Sequence, residues 1–514
     1  MNNPETIAQT TESAPASPGQ PPGAGSADIA TLDKHLAHGI VWTAIAKLSS
    51  QILSWVSMLV VARLLFPSDF GLVGMAAVYL SFAQKLSEFG FGSAVIALRE
   101  LTDDDIAQIN TLSVFSGVAG FLISCAAAIP LGWFFRTSQL PAIVVVMSAV
   151  FVMSGFQTVP YSLLQRGLRF RLLSIMEAVT AVGQALGTLV LALLGLGYWA
   201  LVLGNIIGAA VSTGLNVAFC PRGFARPHLG TIQRTAKFSG QLLVARLAWS
   251  FYSVADFLVA GRVLGAAPLG AYTFAWNLAT MPVEKVWTLV GRVTPALFSA
   301  VQNEHAALRR YLRTLTESLA LITLPMTLGL ALTAHEFVNL VLGEKWVGVI
   351  APLELLSVYA SFRSITTLLP EVLIVLRETR FVMWNTLVAA VLLPCTFYLG
   401  STWGTVGIAW GWIIAYPFIA VPLYRRAFRR IGMSVREYLG ALRPALNGSL
   451  AMAGLVLLLR WILPGDWPLY LRFLLEVVTG AMTYGLVMIT FHRDRVDAFW
   501  SLIQRKKSRS EQRA

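Results

Sequence analysis

Charged side chains set inside long apolar stretches are the chemistry-bearing feature of this sequence: Lys47, Lys85, Glu88, Arg246, Asp256, Glu284, Lys285, Arg292, Glu354, Arg363 and Glu371. An ionisable group near the centre of a bilayer costs about 2.5–3.5 kcal/mol on insertion scales, so it is retained where it meets a partner, a ligand or water. Lys47, Lys85, Arg246, Lys285 and Arg363 suit an anionic ligand, above all a diphosphate. A guanidinium offers forked hydrogen bonds to phosphate oxygens and an ammonium acts as a point charge. Arg246 and Arg363 lie deepest in their stretches and carry the most weight, whereas Lys47 and Arg292 can also snorkel. Lys85 and Glu88, three residues apart, share a helix face and can neutralise each other. Asp256, Glu88 and Glu284 are read as ion-coupling groups or as charge partners, for the neighbouring lysines in the case of the two glutamates and for another helix in the case of Asp256. The histidines form no metal cluster, and Cys125, Cys220 and Cys395 show neither metal spacing nor a disulfide framework, so no metal or cofactor is expected. Trp249, Tyr252, Trp276 and Tyr359 could stack on sugar rings or simply pack.

The elements that position these groups are spanning helices. About fourteen stretches reach the roughly 20 mostly apolar residues that a span needs: 38–64, 70–92, 108–131, 140–163, 174–195, 198–219, 236–262, 270–298, 314–337, 351–376, 381–400, 404–424, 440–463 and 469–491. The chain is 56% hydrophobic and 13% charged, where a soluble domain is about 25% charged. The expected class is an all-α polytopic membrane protein. Lys and Arg crowd the gaps after even-numbered helices and both tails; the odd gaps carry Arg63, Arg136, Arg262, Lys345, Arg460 and Arg472. That alternation places the tails and even gaps in the cytoplasm. It also explains the net charge of +13 as topology plus attraction to anionic lipid, and argues against nucleic acid as a partner.

The spans repeat. Leu59 to Leu65 followed by Gly71 matches Leu258 to Leu264 followed by Gly270, and Pro160–Phe170 echoes Pro370–Phe381 with one insertion. Helices 1–6 therefore resemble helices 7–12 as two parallel halves, with two further helices at the C-terminal end. The expected division is a disordered cytoplasmic tail at 1–34, six-helix halves at 35–222 and 223–430, helices 13 and 14 at 431–492 and a basic tail at 493–514.

Three segments carry a family likeness: Leu163-Leu164-Gln165-Arg166-Gly167-Leu168-Arg169-Phe170, the run Gly197-Tyr198-Trp199-Ala200-Leu201-Val202-Leu203-Gly204, and Ala62-Arg63-Leu64-Leu65 with Asp69-Phe70-Gly71-Leu72. With the helix count they resemble the polysaccharide transporter family, the Wzx-type flippases of the multidrug/oligosaccharidyl-lipid/polysaccharide exporter superfamily. The resemblance implies movement of an undecaprenyl-diphosphate-linked oligosaccharide across the bacterial inner membrane, without catalysis, for exopolysaccharide, capsule or O-antigen assembly. Membrane lipids, a polysaccharide polymerase and export machinery are the implied partners. Alternating access around a cationic cavity is the implied mechanism, with Arg166, Arg169, Arg377 and Arg380 in equivalent loops as a cytoplasmic gate or as plain topology signals. Two alternatives remain open. One is a cation-coupled antiporter leaning on Asp256; the other is a membrane polymerase or glycosyltransferase, whose acidic motif Asp103-Asp104-Asp105 would mimic.

Overall fold

The computed structural model describes residues 51–88, 90–98, 101–228, 253–291, 294–463 and 467–493. Lys47, Arg246, Arg292, Trp249, Tyr252, the 1–34 tail and nearly all of the 493–514 tail lie outside them. Among the described residues every regular element is helical. We number the helices α1 (Gln51–Leu64), α2 (Pro67–Glu88, resuming over Phe91–Ala97), α3 (Asp103–Phe135), α4 (Leu140–Arg166), α5 (Phe170–Leu193) and α6 (Tyr198–Phe219). The second set is α7 (Ala255–Val259, continued by a wide turn at Ala260–Leu264), α8 (Ala266–Val290), α9 (His305–Leu332), α10 (Ile350–Thr366 and Leu368–Val375), α11 (Thr379–Gly400) and α12 (Gly404–Ile431). Then come α13 (Val435–Ile462) and α14 (Leu469–Phe491). Among the described residues ten helical stretches are long and apolar enough to span a membrane, one of them, Thr379–Ile431, comprising both α11 and α12. The chain is an all-α polytopic membrane protein.

Local chemistry sets the ends. Thr102 caps α3, its side chain accepting from the Asp105 amide while Asp105 accepts from the Thr102 amide. This is the reciprocal box that favours acids at a helix start, so the Asp103–Asp105 run is a cap. α2 was expected as one unbroken helix; it breaks where Gly90 takes a left-handed φ of 73°, a conformation that costs glycine nothing.

The two halves meet at the face of the odd-numbered gaps. A Cβ added to Gly71 would lie 1.7 Å from the Ala266 carbonyl oxygen, and one added to Gly270 would lie 1.8 Å from that of Pro67. Pro67 and Gly71 are the repeat equivalents of Ala266 and Gly270, so each half presents the same surface to the other. Close crossing of small residues is how membrane helices gain contact without a hydrophobic drive. The seal extends sideways: Trp346 donates through Nε1 to the Ala62 carbonyl at 2.8 Å, and Lys345 Nζ to that of Arg63 at 2.5 Å. Phe70, Phe274 and Trp346 pack edge to face and tilted beside it. One hydrophobic core shared by both halves lies at this end. At the basic face the halves have separate cores, one around Phe91, Ile109 and Val159 and another around Phe298, Leu312 and Leu373. Among the described residues the halves are thus joined on the odd-gap face and have separate cores on the basic one.

α13 packs on α9, and α14 on α13. Arg460 ties them together, donating to Glu476 at 2.8 and 3.1 Å and also to Glu336 beyond α9. The Glu476 and Glu336 side chains are 0% and 4% exposed. Removing one partner of a buried pair strands the remaining charges, a cost of about 3–5 kcal/mol. Arg460→Ala is therefore expected to lower the thermal unfolding temperature and membrane abundance sharply, and Glu476→Gln less so, as measured on detergent-purified protein.

Candidate functional site

Between α1, α2, α5, α6 and α8 lies a chamber of about 430 Å³. Its wall is built by small-residue packing: a Cβ at Gly204 would meet Thr188 Oγ1 at 1.9 Å, and one at Gly208 would meet Gln184 Oε1 at 2.8 Å. These two glycines, four apart, press α6 against α5 and bring Gln184 and Asn205 to one side of the space. α8 crosses from the other half and adds Thr273 and Asn277. Phe70 of the seal is also in the lining. The lining residues include no ionisable side chain.

The charges stand nearer the basic face. On α8, positions 273, 277, 284, 285 and 288 recur at helical spacing, and Asn277, Glu284, Lys285 and Thr288 are all exposed. Lys285 is eight residues beyond Asn277, about 12 Å along the axis. Its ammonium donates to Gln51 Oε1 of α1 at 2.8 Å and lies 5.7 Å from the Trp55 ring centroid. Glu88 accepts from Gln84 at 3.0 Å; Lys85 is half-buried one turn away on α2. Arg363 of α10 sits with its guanidinium 5.8 Å from the Trp276 ring centroid, facing α8. The structure thus brings Lys85, Glu88, Glu284 and Lys285 to the basic ends of α2 and α8, while Arg363 faces the opposite flank of α8.

Asp256 is not with them. It is fully buried, its Oδ2 accepting from Tyr272 at 2.9 Å and from Trp412 Nε1 at 3.1 Å, its Oδ1 from the Phe257 amide at 2.9 Å. Trp412 in turn stacks on Tyr359 at 4.7 Å and packs beside Trp276 and Phe397. Asp256 therefore joins α7 to α8 and α12 inside a closed aromatic cluster. Trp276 and Tyr359, read from sequence as possible sugar platforms, are members of that cluster.

The expected gate residues occupy two matching turns. Leu168 and Arg377 both take left-handed φ values, 54° and 62°. In each turn the next amide donates five residues back, Arg169 to Leu164 at 3.0 Å and Glu378 to Leu373 at 2.8 Å. Arg169, Arg377 and Arg380 are exposed, and Arg166 reaches the Val95 carbonyl at 3.4 Å. This register puts Arg169 opposite Glu378. Glu378 was not singled out from sequence. It accepts from Arg426 at 2.8 Å and also pairs with Arg430, fastening the α10–α11 turn to the end of α12. The hydrogen bonds from Arg426 hold its carboxyl below the ordinary value of 4.5. A depressed carboxylate contributes stability that is full above that ordinary value and is lost as pH falls through the folded one. The contribution of Glu378 is therefore expected to fade as pH falls below the ordinary carboxylate range, so that Glu378→Gln slightly lowers the unfolding temperature at neutral pH and differs less from wild type in acid.

Another cavity, of about 630 Å³, lies elsewhere, between α10, α12 and α13, and its wall is mostly apolar.

Comparison with known proteins fits this architecture. A family described as polysaccharide biosynthesis protein matches residues 60–351, more than half of the chain. The chain belongs to the polysaccharide biosynthesis protein family. Among members of known sequence, it is 24% identical over 454 residues to an uncharacterized membrane protein in the cps region of Klebsiella pneumoniae, covering 87% of this chain and 93% of that one. It is 26% identical over 415 residues to the lipopolysaccharide biosynthesis protein WzxC of Escherichia coli K12, covering 78% and 82%. Its fold is similar to that of the lipid II flippase MurJ in an inward closed conformation, with a TM-score of 0.71 at 14% identity over 89% of this chain and 100% of that one.

The uncharged polar residues of the chamber escaped the sequence reading, which weighed only ionisable groups. Gln184, Asn205 and Asn277 are amides inside spans of otherwise apolar residues, and that is the signal that would have found them.

Proposed function

We propose that this polysaccharide biosynthesis family member is a flippase for lipid-linked oligosaccharides. It sits in the bacterial inner membrane with both tails cytoplasmic and moves undecaprenyl-diphosphate-linked repeat units outward for exopolysaccharide, capsule or O-antigen assembly. One observation carries the reading: a cavity between two repeated halves, shut at one face by Gly71 and Gly270, uncharged inside and flanked by Lys285 and Lys85 toward the other. Charged and hydroxylated headgroups cannot cross hydrocarbon unaided, and a cavity closed at one end is what alternating access requires. The headgroup enters from the basic face, its diphosphate held by Lys285 and Lys85 while the polyprenyl chain stays in lipid. The division at 35–222 and 223–430 supplies the two bodies that rock, and Arg166, Arg169, Arg377 and Arg380 form the inner gate. The protein performs no covalent step. An antiporter would need Asp256 open to a cation, and its carboxylate is enclosed by Tyr272 and Trp412.

Deleting the gene tests this in cells. The expected result is accumulation of undecaprenyl-diphosphate oligosaccharide in the cytoplasmic leaflet with loss of surface polymer, both reversed by the wild-type gene. Unchanged surface polymer without accumulation would speak against it.

A further inference from the structure

Four polar groups line the chamber. The carboxamides of Gln184, Asn205 and Asn277 make no side-chain hydrogen bond among the described residues, and Thr273 Oγ1 is buried with none. They come from three helices and both halves, α5 and α6 on one side and α8 on the other. An unpaired buried polar group costs about 1–3 kcal/mol, and inside a membrane span the cost of leaving it empty-handed is no smaller. Ser57 in the same wall shows the contrast: its hydroxyl is satisfied by the Ala185 carbonyl at 2.9 Å. Thr273 Oγ1 bears that cost; Gln184 and Asn277 are exposed and Asn205 is half-buried, so the three carboxamides face the space and are available to whatever fills it. At about 430 Å³ it falls in the range of small-ligand sites, about 300–1,000 Å³.

The chemistry of the lining selects the occupant. A carboxamide offers a donor and an acceptor side by side, the complement of neighbouring hydroxyls on a sugar ring. With no fixed charge in the lining, the chamber suits a neutral, hydroxyl-rich group better than a phosphate. We infer that this chamber is a sugar-binding subsite that selects the oligosaccharide, with Gln184, Asn205, Asn277 and Thr273 as specificity-determining residues. It is separate from the cations that hold the diphosphate. The inference rests on the flippase reading for its substrate. The roughly 12 Å from Asn277 to Lys285 spaces sugar rings in the chamber from a diphosphate at the ammonium. Sites built to hydrogen-bond a hydroxyl strongly reject analogues lacking it, so the chamber gives the transporter a means of discriminating between repeat units.

The test measures binding to the purified full-length protein with two probes. One is the free repeat-unit oligosaccharide released by mild acid from the lipid-linked pool of the source cells; the other is farnesyl diphosphate. Asn277→Leu and Gln184→Leu are each expected to weaken the oligosaccharide about tenfold, from loss of paired neutral hydrogen bonds, and to leave farnesyl diphosphate unchanged. Lys285→Ala is expected to do the reverse. Asn277→Ser, smaller and still polar, gives an intermediate loss and covers the case in which leucine disturbs folding. The inference is overturned if wild-type protein binds no oligosaccharide, if the variants bind it as wild type does, or if they lose both probes equally. Selective sugar binding by protein that moves no lipid in vesicles would remove the flippase reading and leave the subsite standing.

Discussion

Gly71→Leu is expected to abolish transport while the protein remains folded in the membrane. An added Cβ at this position meets the Ala266 carbonyl oxygen at 1.7 Å, where even a close carbon–oxygen contact needs about 3.3 Å. Backbone on both sides leaves no flexible tip to yield, so the halves must part at the seal by well over an ångström. Overpacking of this kind costs about 1–3 kcal/mol, which shifts the balance between the two end states by roughly tenfold to a hundredfold against the sealed one. The sealed state is the one that accepts a headgroup from the basic face, so transport fails at loading. Gly270→Leu is the symmetric substitution, facing Pro67 at 1.8 Å, and is expected to behave alike. Gly440→Ala, with open space around it, is the control. The readout is labelling of Thr273→Cys, in a background lacking Cys125, Cys220 and Cys395, by an impermeant thiol reagent applied to spheroplasts. Labelling should rise about tenfold or more in Gly71→Leu. Unchanged labelling and unchanged export would mean that this crossing does not gate the cavity.

Removing the cations gives the second large effect. Lys285→Ala and Lys85→Ala are each expected to reduce transport by about 10- to 100-fold at normal membrane abundance. A hydrogen bond to a charged group is worth about 1.5–3 kcal/mol net. The gross attraction between unit charges about 4 Å apart at an effective dielectric of 20, about 4 kcal/mol, is partly offset by desolvation. Lys285 is poised to release its present contacts, one amide oxygen and one ring face, to a stronger acceptor. Lys285→Arg should retain most activity and Lys285→Gln little. A loss that follows membrane abundance in every variant would make these residues structural.

Much of the architecture was legible in the sequence because a bilayer enforces it. Spanning helices announce themselves by length and apolarity, and the match of Gly71 to Gly270 by a fixed offset marked the very residues that cross in the seal. The breaks were less legible: Gly90 reads as one more small residue until its φ is known, whereas the interruption at Thr367 has a signal that went unused, Pro370, which has no N–H for the Thr366 carbonyl. The site was legible in part. Charge inside a span is conspicuous, so Lys85, Glu88, Glu284 and Lys285 stood out, and the structure places them together at the basic ends of α2 and α8. Charge alone, however, does not tell an open group from an enclosed one, and Asp256 proved to be bound by Tyr272 and Trp412 on helices whose proximity only the fold supplies. The amides were passed over because a carboxamide costs less in lipid than an ion does, and one per helix looks incidental until three helices bring them to one cavity. Glu378 was missed for a similar reason: its partners, Arg426 and Arg430, are some fifty residues away.

The most direct test of the central claim is flipping in proteoliposomes. Purified protein is reconstituted with labelled undecaprenyl-diphosphate oligosaccharide, and exposure of the headgroup to an impermeant reagent is followed over time under an imposed ion gradient or membrane potential. The predicted result is protein-dependent transfer that fails with Gly71→Leu and with Lys285→Ala. Transfer at the protein-free rate, with the cognate lipid and each driving force supplied in turn, would contradict the account.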